Sequence, residues 1–238
     1  MQKIIVMTAY RRYGYARRVL ESLARCDGID DYTVLIHVDP GCVAVEDLAR
    51  SFPLSRKEVV VNPFRLGPHV NTYGALADGF ARSDYVIALE DDVVPAPDTL
   101  KFFQFVDRDY RNNPSCLGGC AYHRGMPPTE DFHKTLRIKW FTPWGWSTWK
   151  DRWEEMAAKW PLTAIEIAAR GWDTVVNHEV RGDRFQVHPW LARTQNIGAE
   201  GGASCPSQAF HAAYQFNPDW AGNVEVPQGE FHNGEIGK

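Results

Sequence analysis

The sequence predicts an α/β fold, a single domain with a mostly parallel central sheet flanked by helices. Two observations predict it. Short apolar runs alternate with segments of helical spacing four times between residues 3 and 113, an order that implies right-handed crossovers between parallel strands. Polar clusters then close three of those runs: Tyr10-Arg11-Arg12, Asp39 and Glu90-Asp91-Asp92. Ligands of such sheets gather beyond the carboxyl ends of the strands.

The first strand is the apolar run KIIVMTAY at 3–10. A helix follows in GYARRVLESLARCDG, where Ala16, Val19, Leu20 and Leu23 keep helical spacing and Gly28 is a natural stop. DYTVLIHVD (31–39) forms the second strand and VAVEDLARSF the second helix. KEVVVN (57–62) is the third strand, and NTYGALADGFARS (71–83) the third helix, with Asn71 expected as its cap. DYVIALEDD (84–92) is the fourth strand, and helix resumes in PDTLKFFQFVDRDYRNN. Beyond this point FTPWGW reads as strand and tight turn, STWKDRWEEMAAKW as an amphipathic helix, and 184–206 as a strand followed by a glycine-rich loop. Residues 138–160 carry six of the nine tryptophans. Most belong to the core, since large aromatics dominate buried area, while one or two could face a sugar.

At 238 residues and 44% apolar, the chain is long enough for a sizeable core. A net charge of −4 excludes a general nucleic-acid binder, which needs a basic face. Five cysteines without a dense framework suit a reducing compartment. Cys116 and Cys120 could form a metal clip, but no second Cys/His pair stands at matching spacing. The N-terminal apolar run of five residues is too short for a signal peptide or a membrane span. The expectation is a cytoplasmic protein with no integral membrane segment, unless the chain is a trimmed part of an anchored enzyme.

Glu90, Asp91 and Asp92 pose the chemical question. Three adjacent carboxylates repel one another, and burying any of them unpaired is costly. A solvated turn would explain them, as would a bound cation. Hard oxygen ligands suit Mn²⁺ or Mg²⁺, which bind through one or two carboxylates plus phosphate oxygens. Other phosphate devices are absent: there is no GxxxxGK[ST] loop, no GxGxxG after the first strand, and no GxSxG elbow. Phosphate would then be neutralised by metal and arginine.

The ordered motifs AYRR, HVDPG, VIALEDDVVPAPDTLKFF, WFTPWGWSTWKDRWEEMAAKWP, GWD and HPWLARTQNIGAEGG resemble the GT-A-fold glycosyltransferases. They look most like the N-acetylglucosaminyltransferase I family and the related protein O-mannose N-acetylglucosaminyltransferases, over roughly residues 3 to 205. The resemblance implies a Rossmann-like GT-A domain over 1–238, with a nucleotide-sugar half (1–100), an acceptor half (101–210) and a tail (211–238). It implies an inverting, metal-dependent transfer from a UDP-sugar, GlcNAc foremost, to a hydroxyl of a glycan or other acceptor. In that pattern Arg12 contacts the donor diphosphate, Asp39 the uracil end, and His69 the uridine. Glu90 and Asp91 lie around the donor sugar and ribose, Asp92 is the direct ligand of Mn²⁺ (or Mg²⁺), and Asp173 is the general base. Trp146 and Trp172 belong to the acceptor or sugar pocket, and the 198–204 loop orders over the diphosphate, with Ala203 near the backbone contact.

One departure touches the acceptor side: Thr174-Val175-Val176 follows Trp172-Asp173 where the family continues with an acid and a tryptophan. Two other classes stay open on residues alone. A sugar nucleotidyltransferase would need a glycine-rich basic loop after the first strand, and MTAYRRYGYARR supplies one glycine. A silent carbohydrate-binding module would account for the tryptophans but not for Asp92 and Asp173.

Overall fold

The computed structural model describes residues 2–124, 131–199 and 229–234. Strand β1 (Lys3–Ala9) shows why the first apolar run is unbroken. Ile5 and Met7 enter one core cluster while Ile4 and Val6 enter another on the opposite face, as expected of a parallel strand covered on both sides. Helix α1 (Tyr13–Leu23) covers the first face with Ala16, Val19, Leu20 and Leu23. Strand β2 (Tyr32–Val38), helix α2 (Val43–Ser51) and strand β3 (Lys57–Val61) follow. Helix α3 (Gly67–Arg82) covers the second face with Ala75, Leu76 and Phe80.

Next come β4 (Tyr85–Glu90), the short β5 (Val93–Pro95), α4 (Thr99–Tyr110) and β6 (Cys116–Cys120). Strands β7 (Lys134–Ile138) and β8 (Trp146–Trp149) precede helices α5 (Lys150–Ala157), α6 (Ala164–Ala169) and α7 (Trp172–Val175). Strands β9 (Phe185–Pro189), β10 (Thr194–Asn196) and β11 (His232–Asn233) complete the described elements. The main sheet runs β11-β7-β9-β6-β8-β4-β1-β2-β3, and β10 pairs with β5 in a separate ribbon. The strands from β4 through β1 and β2 to β3 are parallel, whereas β8 runs antiparallel to both its neighbours. This is the predicted α/β architecture. Among the described residues no helix is long and apolar enough to cross a membrane.

Two local expectations are corrected. Helix α3 starts at Gly67, four residues before Asn71. The Asp39 carboxylate accepts bonds from the Leu66 and Gly67 backbone N–H groups at 3.0 and 2.7 Å, capping the helix from a distant strand. Gly67 itself has φ 78°, a left-handed conformation that favours glycine. Asn71 is instead buried inside the helix, accepting a bond from Asn62 Nδ2 and donating to the His37 carbonyl. Next, Ser147-Thr148-Trp149 is strand and not helix, because β8 fills the gap between β4 and β6 and its ladder overrides local propensity. Cys116 and Cys120 lie on the buried strand β6 as core thiols, where burial pushes both up to about 12.

Two conspicuous residues of the glycine-rich stretch hold the fold together. Arg193 is fully buried: its Nε donates to both oxygens of Asp98 at 2.8 Å, and its Nη atoms donate to the Leu191 and Phe132 carbonyls. His188, on β9, has Nδ1 2.6 Å from the Tyr122 carbonyl, which requires that nitrogen to carry a proton. Burial lowers the His188 pKa from 6.5 to about 4. The fold therefore holds this ring neutral while the unfolded chain protonates it below pH 6.5. Its stabilising contribution is complete above that pH and is lost as the pH falls towards 4, a change on the order of 3 kcal/mol. In His188→Asn, denaturant titrations at stepped pH are expected to show a correspondingly flatter loss of stability over this window. An unaltered slope would remove His188 as the source.

Candidate active site

The cleft lies beyond the carboxyl ends of β1, β2 and β4. Its walls include Tyr10, Arg12, Asp39, Glu90 and Asp91, so the three strand-end clusters of the sequence meet in one place. Arg65, Asn71 and Thr72 also line it. Arg65 was not singled out from sequence, although it follows the third strand and the strand-end argument applies to it equally. Its guanidinium stands 4.7 Å from the Tyr10 ring centroid, a cation–π contact.

Arg12 is the hub of the acidic cluster. Its Nη2 pairs with Asp91 Oδ1, and its Nη1 pairs with Asp92 Oδ2 at 2.7 Å. Burial works against the guanidinium charge, but Asp92 and Asp91 together outweigh it and raise the Arg12 pKa. Asp91 also accepts from the Tyr10 backbone N–H at 3.4 Å. Burial raises the Asp91 pKa, with Arg12 opposing. Glu90 is raised further, to about 8, by burial first and then by the charges of Asp92 and Asp91. Asp173 adds to that shift, so it lies within electrostatic reach of Glu90.

Asp92 is 5% exposed, and its buried Oδ1 has no hydrogen-bond partner among the described residues. An acceptor left this way is costly unless something cationic or a donor meets it. Among the described residues no group of three or more His, Cys, Asp or Glu side chains gathers as a metal cage. The donor set on offer is therefore one or two carboxylates, the number that Mg²⁺-like ions take when phosphate and water complete the shell. The loop after β10 lies against this cluster. Ile197 N donates to the Asp92 carbonyl at 2.8 Å. A Cβ at Gly198 would overlap Asp92 Oδ2 and come within 3.0 Å of Arg12 Nη1, so only glycine permits this approach.

Asp39 is nearly fully buried, with both carboxylate oxygens engaged by Asn62, Leu66 and Gly67. It reaches the cleft as a wall and organises the helix entrance. His69 does not join Gly67, Pro68, Asn71 and Thr72 in lining the cleft. The His69 ring stands by the Gly171–Asp173 segment. A Cβ on Gly171 would lie 3.9 Å from His69 Cε1 and 2.7 Å from Asp173 Oδ1. Burial lowers the His69 pKa while Asp173 opposes.

Asp173 sits in the first turn of α7, where a carboxylate complements the helix dipole. Aromatic packing holds this turn. Trp172 stacks on Trp160 with centroids 4.5 Å apart, and Trp160 Nε1 donates to the His69 carbonyl at 3.0 Å. Trp146 is 2% and Trp172 6% exposed, both within the second core cluster. That packing makes Trp146 and Trp172 part of the aromatic wall that positions α7. Ala203 lies outside the described residues.

Solved structures with similar folds are crystal structures of TarS from S. aureus. One matches with TM-score 0.54 at 14% identity, covering 79% of this chain and 36% of that chain. TarS 1–349 matches with TM-score 0.51 at 14% identity, covering 79% and 60%. TarS 1–349 in complex with UDP matches with TM-score 0.50 at 14% identity, covering 78% and 60%. The chain thus spans between about a third and three fifths of those chains. Residues 4–168 match the family model described as glycosyl transferase family 2. With well over half its length inside that match, the chain belongs to glycosyl transferase family 2.

Proposed function

We propose that the chain is a glycosyltransferase that moves a sugar, GlcNAc foremost, from a UDP-sugar to a hydroxyl of a glycan or other acceptor, inverting the anomeric centre and using Mn²⁺ or Mg²⁺. The observation that carries the reading is the Arg12–Asp91–Asp92 cluster at the strand ends, with one buried Asp92 oxygen unpartnered. The UDP bound by TarS, a protein of the same fold, supports a uridine donor. The order of motifs from the EDD cluster to Trp172-Asp173 supports GlcNAc.

Asp92 would hold the cation, whose chemistry is to neutralise charge on the departing diphosphate. Arg12 adds a fixed positive charge that orients the same phosphates. Glu90 and Asp91 accept hydrogen bonds from donor hydroxyls. Asp173, held by the Trp172–Trp160 stack and near His69, takes the proton from the acceptor hydroxyl.

Melting curves test the reading. UDP at about a hundred times its Kd is expected to raise the Tm by roughly 5 °C or more with Mn²⁺, and by much less with EDTA. Equal protection in EDTA would remove the metal. Protection by free sugar without nucleotide would favour a binding module.

A further inference from the structure

We infer that Arg12 is a resident counter-cation that a divalent ion must displace from Asp92, so that metal enters together with nucleotide in preference to alone. This rests on the donor and metal reading above and adds an order of events to it. The Arg12 side chain is 17% exposed, and those of Asp91 and Asp92 are 5% and 7% exposed. The ion pairs are therefore shielded from solvent and are not easily exchanged for water. Within Asp92 the two oxygens differ: Oδ2 is held by Arg12, and Oδ1 has no partner among the described residues. The carboxylate is thus half neutralised and half open, which leaves Oδ1 for a cation to approach.

The cover over Oδ2 is already in contact. Gly198 lies against both Asp92 Oδ2 and Arg12 Nη1. The loop that carries it is tied down by Ile197 N to the Asp92 carbonyl and by Gly198 N to Asn196 Oδ1. A dication coordinated to Asp92 would face a guanidinium of like charge, so Arg12 must retreat from Asp92. Without nucleotide, retreat breaks the buried pair with Asp92 and leaves Nη1 without an anion, only Asp91 still holding the guanidinium. A nucleoside diphosphate supplies what is missing on both sides. Its oxygens complete the shell of the dication and give the displaced Nη groups a new anion to grip. Metal and diphosphate are coupled through one arginine, and by linkage each then raises affinity for the other.

The inference predicts effects of opposite sign from one substitution. Free Mn²⁺ can be followed by its electron paramagnetic resonance signal during titration of the whole protein. In Arg12→Ala, Mn²⁺ alone is expected to bind about tenfold more tightly than to the wild type. UDP affinity in saturating Mn²⁺ is expected to fall about tenfold. Arg11→Ala removes the same charge from the neighbouring residue and is expected to move the affinity for bare Mn²⁺ by less than about twofold. Arg12→Gln, which keeps length and polarity, serves the same comparison if the alanine variant does not fold.

Unchanged or weaker binding of bare Mn²⁺ in both Arg12 variants would overturn the exchange, as would an equal gain in Arg11→Ala. Failure of the wild type to bind UDP with Mn²⁺ would instead sink the donor reading. The bare-metal comparison would still decide the part played by Arg12.

Discussion

Asp173→Asn is expected to keep Mn²⁺-dependent UDP affinity within about twofold of the wild type while turnover falls by about 10²- to 10⁴-fold. Turnover is measured as UDP released in the presence of hydroxyl acceptors that the wild type uses. The substitution is nearly isosteric, and asparagine suits the first turn of a helix as aspartate does. The Trp172–Trp160 stack and the bond from Asn177 Nδ2 to the Asp173 carbonyl should therefore persist. What disappears is a carboxylate able to accept a proton. A loss confined to kcat separates this role from a merely structural one, which would disturb Tm and UDP binding as well. Full turnover in the variant would take Asp173 out of the chemistry.

Asp92→Ala should have the larger effect on binding. The substitution removes both the unpartnered Oδ1 and the oxygen that Arg12 grips. Calorimetric UDP titrations in Mn²⁺ are expected to fall at least about a hundredfold in affinity, to the value the wild type shows in EDTA. The fold itself should tolerate the change, because Arg12 keeps Asp91 as a partner and the charge is not stranded. Wild-type manganese affinity in the variant would mean that the ion sits elsewhere.

The two experiments probe two parts of the proposed site, and the sequence made those parts unequally legible. The acidic end was readable because three like charges after an apolar strand have few inexpensive explanations. A strand end in a parallel sheet also points to the ligand edge. Arg12 was readable for the same reason. Arg65 obeys the same rule yet was passed over, since KEVVVN is followed by a bland NPFRLGP segment with no charge cluster to draw attention.

His69 and the tryptophans were harder. The start of α3 is set by Asp39, just past the end of β2 and 28 residues before Gly67. The position of His69 beside the Gly171–Asp173 segment depends on that distant contact and on the packing of Trp160. Trp146 and Trp172 carry the same ambiguity, because an indole can face a sugar or a core, and only the packing partners decide.

By itself, the sequence determined the alternation of strand and helix, the burial of β1 on both faces and the gathering of Arg12, Asp39, Glu90 and Asp91 at one edge. Each follows from the period of apolar residues and from chain connectivity, which are local properties. Only the tertiary structure decided that Ser147-Thr148-Trp149 is strand, that Asp39 caps α3, and that Arg12 bridges Asp91 and Asp92 beneath Gly198. Those outcomes depend on groups distant in sequence meeting at hydrogen-bond range, and a one-dimensional pattern of polarity carries no record of such encounters.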